Sequence, residues 1–135
     1  MRPRVLTGIR PTGPLHLGHY VGALKQWLPL QTDYDCFFLV ADVQALTTHA
    51  DRPEMVRESV KAVVADWISV GLDHGRPNVH FVLQSALDEL SILTNLFTMV
   101  TPFNWMKHNP TIKEELKTLK GDASAGFMIY PISQA

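Results

Sequence analysis

A Gly/Pro-rich segment at residues 7–20, between two apolar runs, constrains the fold of this chain more than any other feature. The run Arg4-Val5-Leu6 before it is short and followed by a glycine, which predicts a buried β-strand. After it, apolar residues recur at helical spacing and predict a helix that begins near His16; they are Leu17, Tyr20, Val21, Leu24, Trp27 and Leu28. The sequence therefore predicts a strand, a tight loop and a helix N-terminus in succession.

Two histidines at the predicted helix start, His16 and His19, define a candidate anion site. Residues three apart share one helix face, beside unpaired backbone N–H groups and the positive end of the helix dipole. Gly13 permits the turn, and Gly18 lacks a Cβ, so a flat ring can lie against the backbone. An ordinary surface helix is the commoner origin of an isolated H-x-x-H spacing. The Gly/Pro frame and the upstream strand instead favour a polyphosphate site.

The composition indicates a soluble globular protein. The chain has 135 residues, 46% of them hydrophobic, and a formal net charge of -1, so it lacks the basic excess typical of nucleic-acid surfaces. Its one cysteine, Cys36, predicts a reducing compartment without disulfides. No secretory signal or membrane-spanning run is recognised, so we expect a cytoplasmic protein with no membrane partner.

The remaining pattern predicts strands that alternate with helices. Strands are predicted at 36–41 and 78–83. One helix is predicted from about His16 to Leu30, with a break near Pro29, and a second from its N-cap at Asp51 to Gly71. A third helix is predicted after a capping box formed by Ser85 and Asp88, and a fourth helix is predicted from 109 to 119. The third is expected to bury a stripe formed by Leu87, Leu90, Leu93, Leu96, Phe97 and Val100. The predicted fold is α/β, with a Rossmann-like, doubly wound parallel sheet.

Polar residues follow the second predicted strand. Asp42 and Gln44 come at its carboxyl end, where open parallel sheets bind ligands. A helix or turn cap is an equally good account of Asp42.

The segment Pro11–His19 resembles the "HIGH" signature of class I aminoacyl-tRNA synthetases. The form T-G-x-R-P-T-G-x-L-H-L-G-H-Y is similar to the bacterial tryptophanyl-tRNA synthetases, and the resemblance runs from Leu6 to the end of the chain. It implies a tryptophan–tRNA ligase that uses ATP, with Mg²⁺ bound through the ATP phosphates, to form tryptophanyl-adenylate and then charges tRNA(Trp). Residues 1–135 would be the N-terminal portion of the catalytic domain, without the "KMSKS" loop or the anticodon-binding helical domain. We therefore expect this polypeptide alone to be an inactive or weak catalyst, and the whole enzyme to be a homodimer.

The same resemblance implies roles for individual residues. His16, His19 and Arg10 are expected to be catalytic, and no residue is expected to bind a metal directly. ATP is expected to contact Gly8, Ile9, Arg10, Thr12, His16, Gly18 and His19. Tryptophan is expected to contact Leu6, Asp42, Gln44, Tyr130 and Gln134, the last two in a segment similar to the family's "AG…YP…QAAD" pocket wall.

Three alternatives remain open. A tyrosyl-tRNA synthetase has a similar loop, but its archaeal-type versions place a tyrosine where this chain has Leu6, and an aliphatic side chain leaves a phenol unpaired. A small-molecule nucleotidyltransferase also carries an H-x-G-H loop after its first strand. A non-catalytic fragment that binds ATP or a partner protein is the third.

Overall fold

The computed structural model describes residues 2–118 and 122–134 of the chain. These residues form two compact units, Met1–Ala86 and Leu87–Ala135, each with its own hydrophobic core. Within the described ranges, no helix is both long enough and apolar enough to cross a bilayer.

The first unit is built on a parallel β-sheet. Its strands, β1 (Arg4–Ile9), β2 (Asp35–Val40) and β3 (Val79–Leu83), lie side by side in that order. Both pairings are parallel, and their register places Ile9 opposite Val40 and Val40 opposite Leu83. The carboxyl ends of the strands therefore meet at one edge of the sheet. The predicted α/β fold with a parallel sheet is confirmed.

Helices connect these strands across one face of the sheet. Between β1 and β2 lie α1 (Leu17–His19), a π-helical turn (Tyr20–Leu24), α2 (Lys25–Trp27) and α3 (Leu30–Asp33). Between β2 and β3 lie α4 (Asp42–His49) and α5 (Pro53–Ser69), and a 3₁₀ turn (Gln84–Ala86) follows β3. Both crossovers run in the same direction across the sheet, so their right-handed geometry puts them on the same face.

An aromatic cluster fills the space between that face and the helices. Trp67 of α5 is fully buried and meets Phe81 edge-on, with ring centroids 5.3 Å apart. Trp27 of α2 stacks on Phe38 of β2 at 5.3 Å. This packing fixes the helices against the sheet and so sets the position of the loop between β1 and α1.

The opposite face of the sheet is open. Leu6 of β1 is 69% exposed on this face, and neighbouring strands carry a His80–Asp35 pair at 3.1 Å with Phe37 stacked on the histidine. Residues of β1 alternate between exposed and half-buried because its two faces have different neighbours, so the prediction of a strand at this position is confirmed but the prediction that it is buried is wrong.

Two details of the first unit differ from the sequence prediction. The helix expected from His16 to Leu30 contains a π-helical turn that the sequence did not predict, whereas the break expected near Pro29 is confirmed, since proline cannot supply the helical N–H. Asp51 is not an N-cap: Arg52 holds that position without a side-chain bond, and Pro53 begins α5. Gly71 does end this segment, with a φ of 104° that favours glycine.

The second unit is helical in its described part. It contains α6 (Asp88–Val100), α7 (Phe103–His108), α8 (Pro110–Thr118) and α9 (Ala125–Ser133). Ile112, Phe127 and Tyr130 form its core, and the Ser124 hydroxyl caps α9 by accepting the Phe127 N–H at 3.0 Å. The predicted helix from 109 to 119 corresponds to α8, although Leu119 lies outside the described residues.

The predictions for α6 are wrong in two respects. Ser85 and Asp88 do not form a capping box, because Ser85 lies in the 3₁₀ turn and Leu87 is the N-cap without a side-chain bond. The expected stripe is not a core either, because α6 has no fully buried residue and Val100 is 75% exposed. Helical periodicity predicts that a helix has an apolar face, but it does not predict whether other residues pack against that face and bury it.

Candidate functional site

The two histidines at the start of α1 cap the helix reciprocally. The Gly18 N–H donates to Nδ1 of His16 at 3.1 Å, and the His16 N–H donates to Nδ1 of His19 at 3.3 Å. The result is a capping box made of imidazoles, with ring centroids 4.1 Å apart. The predicted juxtaposition of His16 and His19 is confirmed, and the rings also complete the backbone hydrogen bonding of the helix start.

These bonds determine which ring nitrogen carries the proton. A nitrogen that accepts a hydrogen bond has no proton, so in the neutral rings of His16 and His19 the hydrogen resides on Nε2. Each ring therefore has an Nε2–H donor for a ligand. Two such donors side by side suit the oxygens of a phosphate chain.

The environment keeps His19 neutral. Partial burial, and then the neighbouring His16 ring, lower the pKa of His19 from its ordinary value of 6.5. At neutral pH this ring is a hydrogen-bond donor without a charge, and its Nδ1 remains available to accept the His16 N–H.

Gly18 makes the close approach of the His16 ring possible. A Cβ at this position would lie 2.8 Å from Cε1 and 2.9 Å from Nδ1 of His16, closer than such contacts normally occur. The ring of His16 therefore lies against the backbone at Gly18, and the expected contact of Gly18 with ATP stays a prediction. Gly13 has a φ of 137°, which confirms its predicted role in the turn.

The other predicted nucleotide contacts lie around the end of β1. Arg10 and Thr12 are exposed and joined by a bond from the Thr12 N–H to the Arg10 carbonyl at 2.9 Å. Ile9 packs against the core, and its carbonyl accepts the Ala41 N–H at 3.0 Å. A side chain at Gly8 would collide with the Leu39 carbonyl of β2, so strand pairing alone accounts for that glycine.

The carboxyl ends of β2 and β3 are bridged by side chains. Oδ1 of Asp42 accepts the Ser85 N–H at 3.0 Å, and Oε1 of the buried Gln84 accepts the Gln44 N–H at 3.1 Å. Asp42 and Gln44 therefore lie at the expected edge, and Asp42 supports the local backbone there. Gln84 was not singled out from the sequence, and its position immediately after a strand was the available signal.

Tyr130 and Gln134 belong to the second unit. Tyr130 is 6% exposed and packs edge-on against Phe127, with centroids 5.7 Å apart. Gln134 is exposed at the C-cap of α9. The unit also contains a cavity of about 400 Å³, which is lined by Phe97, Thr101, Trp105, Met106, Asn109, Pro131 and Ile132.

Two further observations complete the description of the site. Asp66 of α5 accepts the Leu15 N–H at 3.3 Å and so joins the site loop to the helix layer. In the described part of the chain, no group of three or more His, Cys, Asp or Glu side chains could hold a metal ion.

The family described as class I tRNA synthetases (W and Y) matches the chain over residues 1–135. The chain belongs to this family. The predicted Rossmann-like fold is thereby confirmed, as is the predicted resemblance of the chain to class I synthetases.

Curated and solved relatives agree with this membership. The tryptophan–tRNA ligase of Ralstonia nicotianae is 46% identical over 134 residues, which are 98% of this chain and 33% of that protein. The corresponding ligase of Clostridium longisporum is 43% identical over 135 residues, 97% of this chain and 39% of that protein. The crystal structure of tryptophanyl-tRNA synthetase from Campylobacter jejuni, complexed with ADP and tryptophan, has a TM-score of 0.84 and 32% identity, and covers 97% of this chain and 40% of that one. The chain thus spans between a third and two fifths of these relatives.

Proposed function

We propose that this chain is the nucleotide-binding part of an enzyme that activates tryptophan with ATP and then esterifies tRNA(Trp). The observation that carries the proposal is the pair of imidazoles at the β1–α1 junction, held with Nδ1 inward and Nε2–H available. The names of the Ralstonia and Clostridium relatives, and the ligands of the Campylobacter structure, support tryptophan and an adenine nucleotide as substrates.

The activation step needs positioning and charge stabilisation, but no protein nucleophile. The tryptophan carboxylate attacks the α-phosphorus of ATP; a mixed anhydride forms as the bond to pyrophosphate breaks. Negative charge develops on the departing oxygens, and in this proposal the Nε2–H groups of His16 and His19 donate to them. Arg10, exposed after β1, supplies a cation for the phosphates or for the tryptophan carboxylate. Mg²⁺ would enter on the ATP phosphates, as it commonly does in phosphoryl chemistry, and share their charge.

We propose tryptophan rather than tyrosine as the amino acid. Leu6, on the open sheet face, has no hydrogen-bonding group for a phenol, and a polar substrate group left unpaired is strongly disfavoured. Asp42, Gln44, Tyr130 and Gln134 remain the proposed further contacts of this amino acid. Membership in the synthetase family favours this function over a small-molecule nucleotidyltransferase.

Amino-acid-dependent ATP–pyrophosphate exchange tests the proposal. The protein, expressed at its full encoded length, should catalyse exchange with tryptophan at least 100-fold faster than with tyrosine. The 135-residue chain alone should bind ATP and exchange weakly or not at all. Exchange driven best by tyrosine would overturn the substrate assignment, and ATP binding without exchange by the full-length protein would favour the non-catalytic alternative.

We also propose that two copies associate through the second unit. Its α6 and α7 expose a group of large apolar side chains, namely Ile92, Leu96, Met99, Val100, Phe103 and Trp105. Exposed apolar surface of this extent is characteristic of protein interfaces. Light scattering on the full-length protein should give twice the monomer mass. The Met99→Glu variant should give the mass of one monomer. The control Ile68→Glu, on α5, should remain dimeric; a monomeric wild type would refute the proposal.

A further inference from the structure

Asp66 links helix α5 to the loop that carries the histidines. Its Oδ2 accepts the backbone N–H of Leu15 at 3.3 Å, across 51 positions of sequence. Leu15 immediately precedes His16, and its side chain packs against the core of the first unit. The chain is therefore held by both side chain and backbone at the last residue before the imidazole cap begins.

The position of Asp66 is unfavourable for its own helix. It lies in the last turn of α5, which ends at Ser69, and a carboxylate there is repelled by the negative end of the helix dipole. Aspartate is also among the poorer helix formers. A residue that contradicts the local preference of its helix is expected where it serves another part of the structure.

The hydrogen bonds within the cap itself are local. His16 begins the reciprocal bonds with Gly18 and His19, and both bonds join residues no more than three apart. Such local bonds fix the rings relative to α1, but not relative to the sheet. The bond to Asp66 is a long-range one and ties the entry of the cap to the layer of helices behind the sheet.

We propose that Asp66 is a positioning residue that sets where the His16 and His19 rings meet the ATP phosphates. This inference rests on the function proposed above. Without the carboxylate, the Leu15 N–H loses its acceptor and the backbone before His16 gains freedom. The donors are then misplaced for the transition state while the fold is retained, and misplacement by about 1 Å can cost ~100-fold in rate.

Kinetics on the full-length protein provide the first test. Asp66→Ala should lower kcat/KM for ATP about tenfold and leave KM for tryptophan within about twofold. Its Tm should change little, because the charge removed and the helix preference gained by alanine offset the hydrogen bond lost at the Leu15 N–H. Asp66→Asn should recover activity to within about threefold of wild type, since its amide oxygen can accept the same N–H. The control Glu58→Ala, which removes an exposed charge from the same helix, should change none of these values.

A spectroscopic test separates this inference from the proposed function. The ¹⁵N resonances of the His16 and His19 rings report their tautomers and surroundings, and they should shift in Asp66→Ala but not in Glu58→Ala. Lack of exchange by the wild type would refute the proposed function, whereas the ring resonances would still decide whether Asp66 positions the histidines. Unshifted rings, or wild-type kinetics in Asp66→Ala, would overturn the positioning role.

Discussion

A methyl group added at Gly18 should disable the site and leave the fold intact. The Cβ of Gly18→Ala would lie 2.8 Å from Cε1 of His16, and ordinary van der Waals contact begins at 3.4 Å. The ring must therefore move by about 0.6 Å at its nearest atom, the difference between these distances. Because the ring accepts the Gly18 N–H at Nδ1, this movement also breaks or strains the 3.1 Å bond.

The expected loss follows from what the movement does to one donor. If the Nε2–H of His16 no longer meets the pyrophosphate oxygens, the cost is that of one stabilising donor, about 2.7–4 kcal/mol. We therefore expect a fall in tryptophan-dependent exchange of roughly 100-fold or more in the full-length protein. The backbone at residue 18 is helical, where alanine is preferred to glycine by about 0.8–1.0 kcal/mol, so thermal stability should hold.

Gly22 offers a matched control in the same helical segment. A Cβ at Gly22 meets nothing within 4 Å, so Gly22→Ala should keep full exchange activity and gain the same helix preference. The double variant Gly18→Ala/His16→Ala should be no worse than His16→Ala alone, because both changes remove the same donor. A folded Gly18→Ala protein within threefold of wild type, or an equal loss in Gly22→Ala, would refute this reasoning.

Three further predictions concern His19 and the interior of the first unit. His19→Ala should lower exchange by roughly 100-fold or more, and His19→Asn should recover part of it because an amide offers both an acceptor and an N–H donor; less than a threefold loss in His19→Ala would remove this residue from the mechanism. The ring of His19 should titrate by NMR with a midpoint below 6.5, and a midpoint above 6.5 would contradict this. Because the folded-state pKa of His19 is lowered, its contribution to the stability of the fold is present above pH 6.5 and decreases as the pH falls below that value. Gln31→Leu should lower the free energy of unfolding by about 2–4 kcal/mol in urea titrations, because the buried amide donates to the Gly71 carbonyl and accepts the Asp73 N–H. The control Gln26→Leu, at an exposed position, should lower the free energy of unfolding by less than ~0.5 kcal/mol.

The features that the sequence predicted well are those decided by short-range physics. Strands β1 to β3 are short apolar runs between turn residues, and the break at Pro29 follows from the missing N–H of proline. The pairing of His16 with His19 depends only on helical spacing. For these features, the residues within one turn or one strand contain all the information that is needed.

The features that were missed depend on contacts between distant parts of the chain. Asp66 reaches Leu15 from helix α5, and Gln84 reaches Gln44 of α4 from the 3₁₀ turn after β3, so neither bond has a local signature. The wrong prediction for α6 has the same origin, since an apolar helix face is equally compatible with a core and with an interface. Asp51 lost the N-cap because the backbone enters the helix one residue later, a shift that propensities do not resolve.

The imidazole cap makes the helix start and the proposed phosphate site a single structural unit. The Nδ1 atoms of His16 and His19 accept the backbone bonds that hold the turn, and the same bonds place the proton on Nε2, where a phosphate needs a donor. Protonation of His19 at Nδ1 removes an acceptor from the helix start, so acid weakens the local structure and the donor geometry together. Substitutions at Gly18, His16 and His19 should therefore be strongly non-additive, because each disrupts one shared arrangement and not a separate contribution to binding.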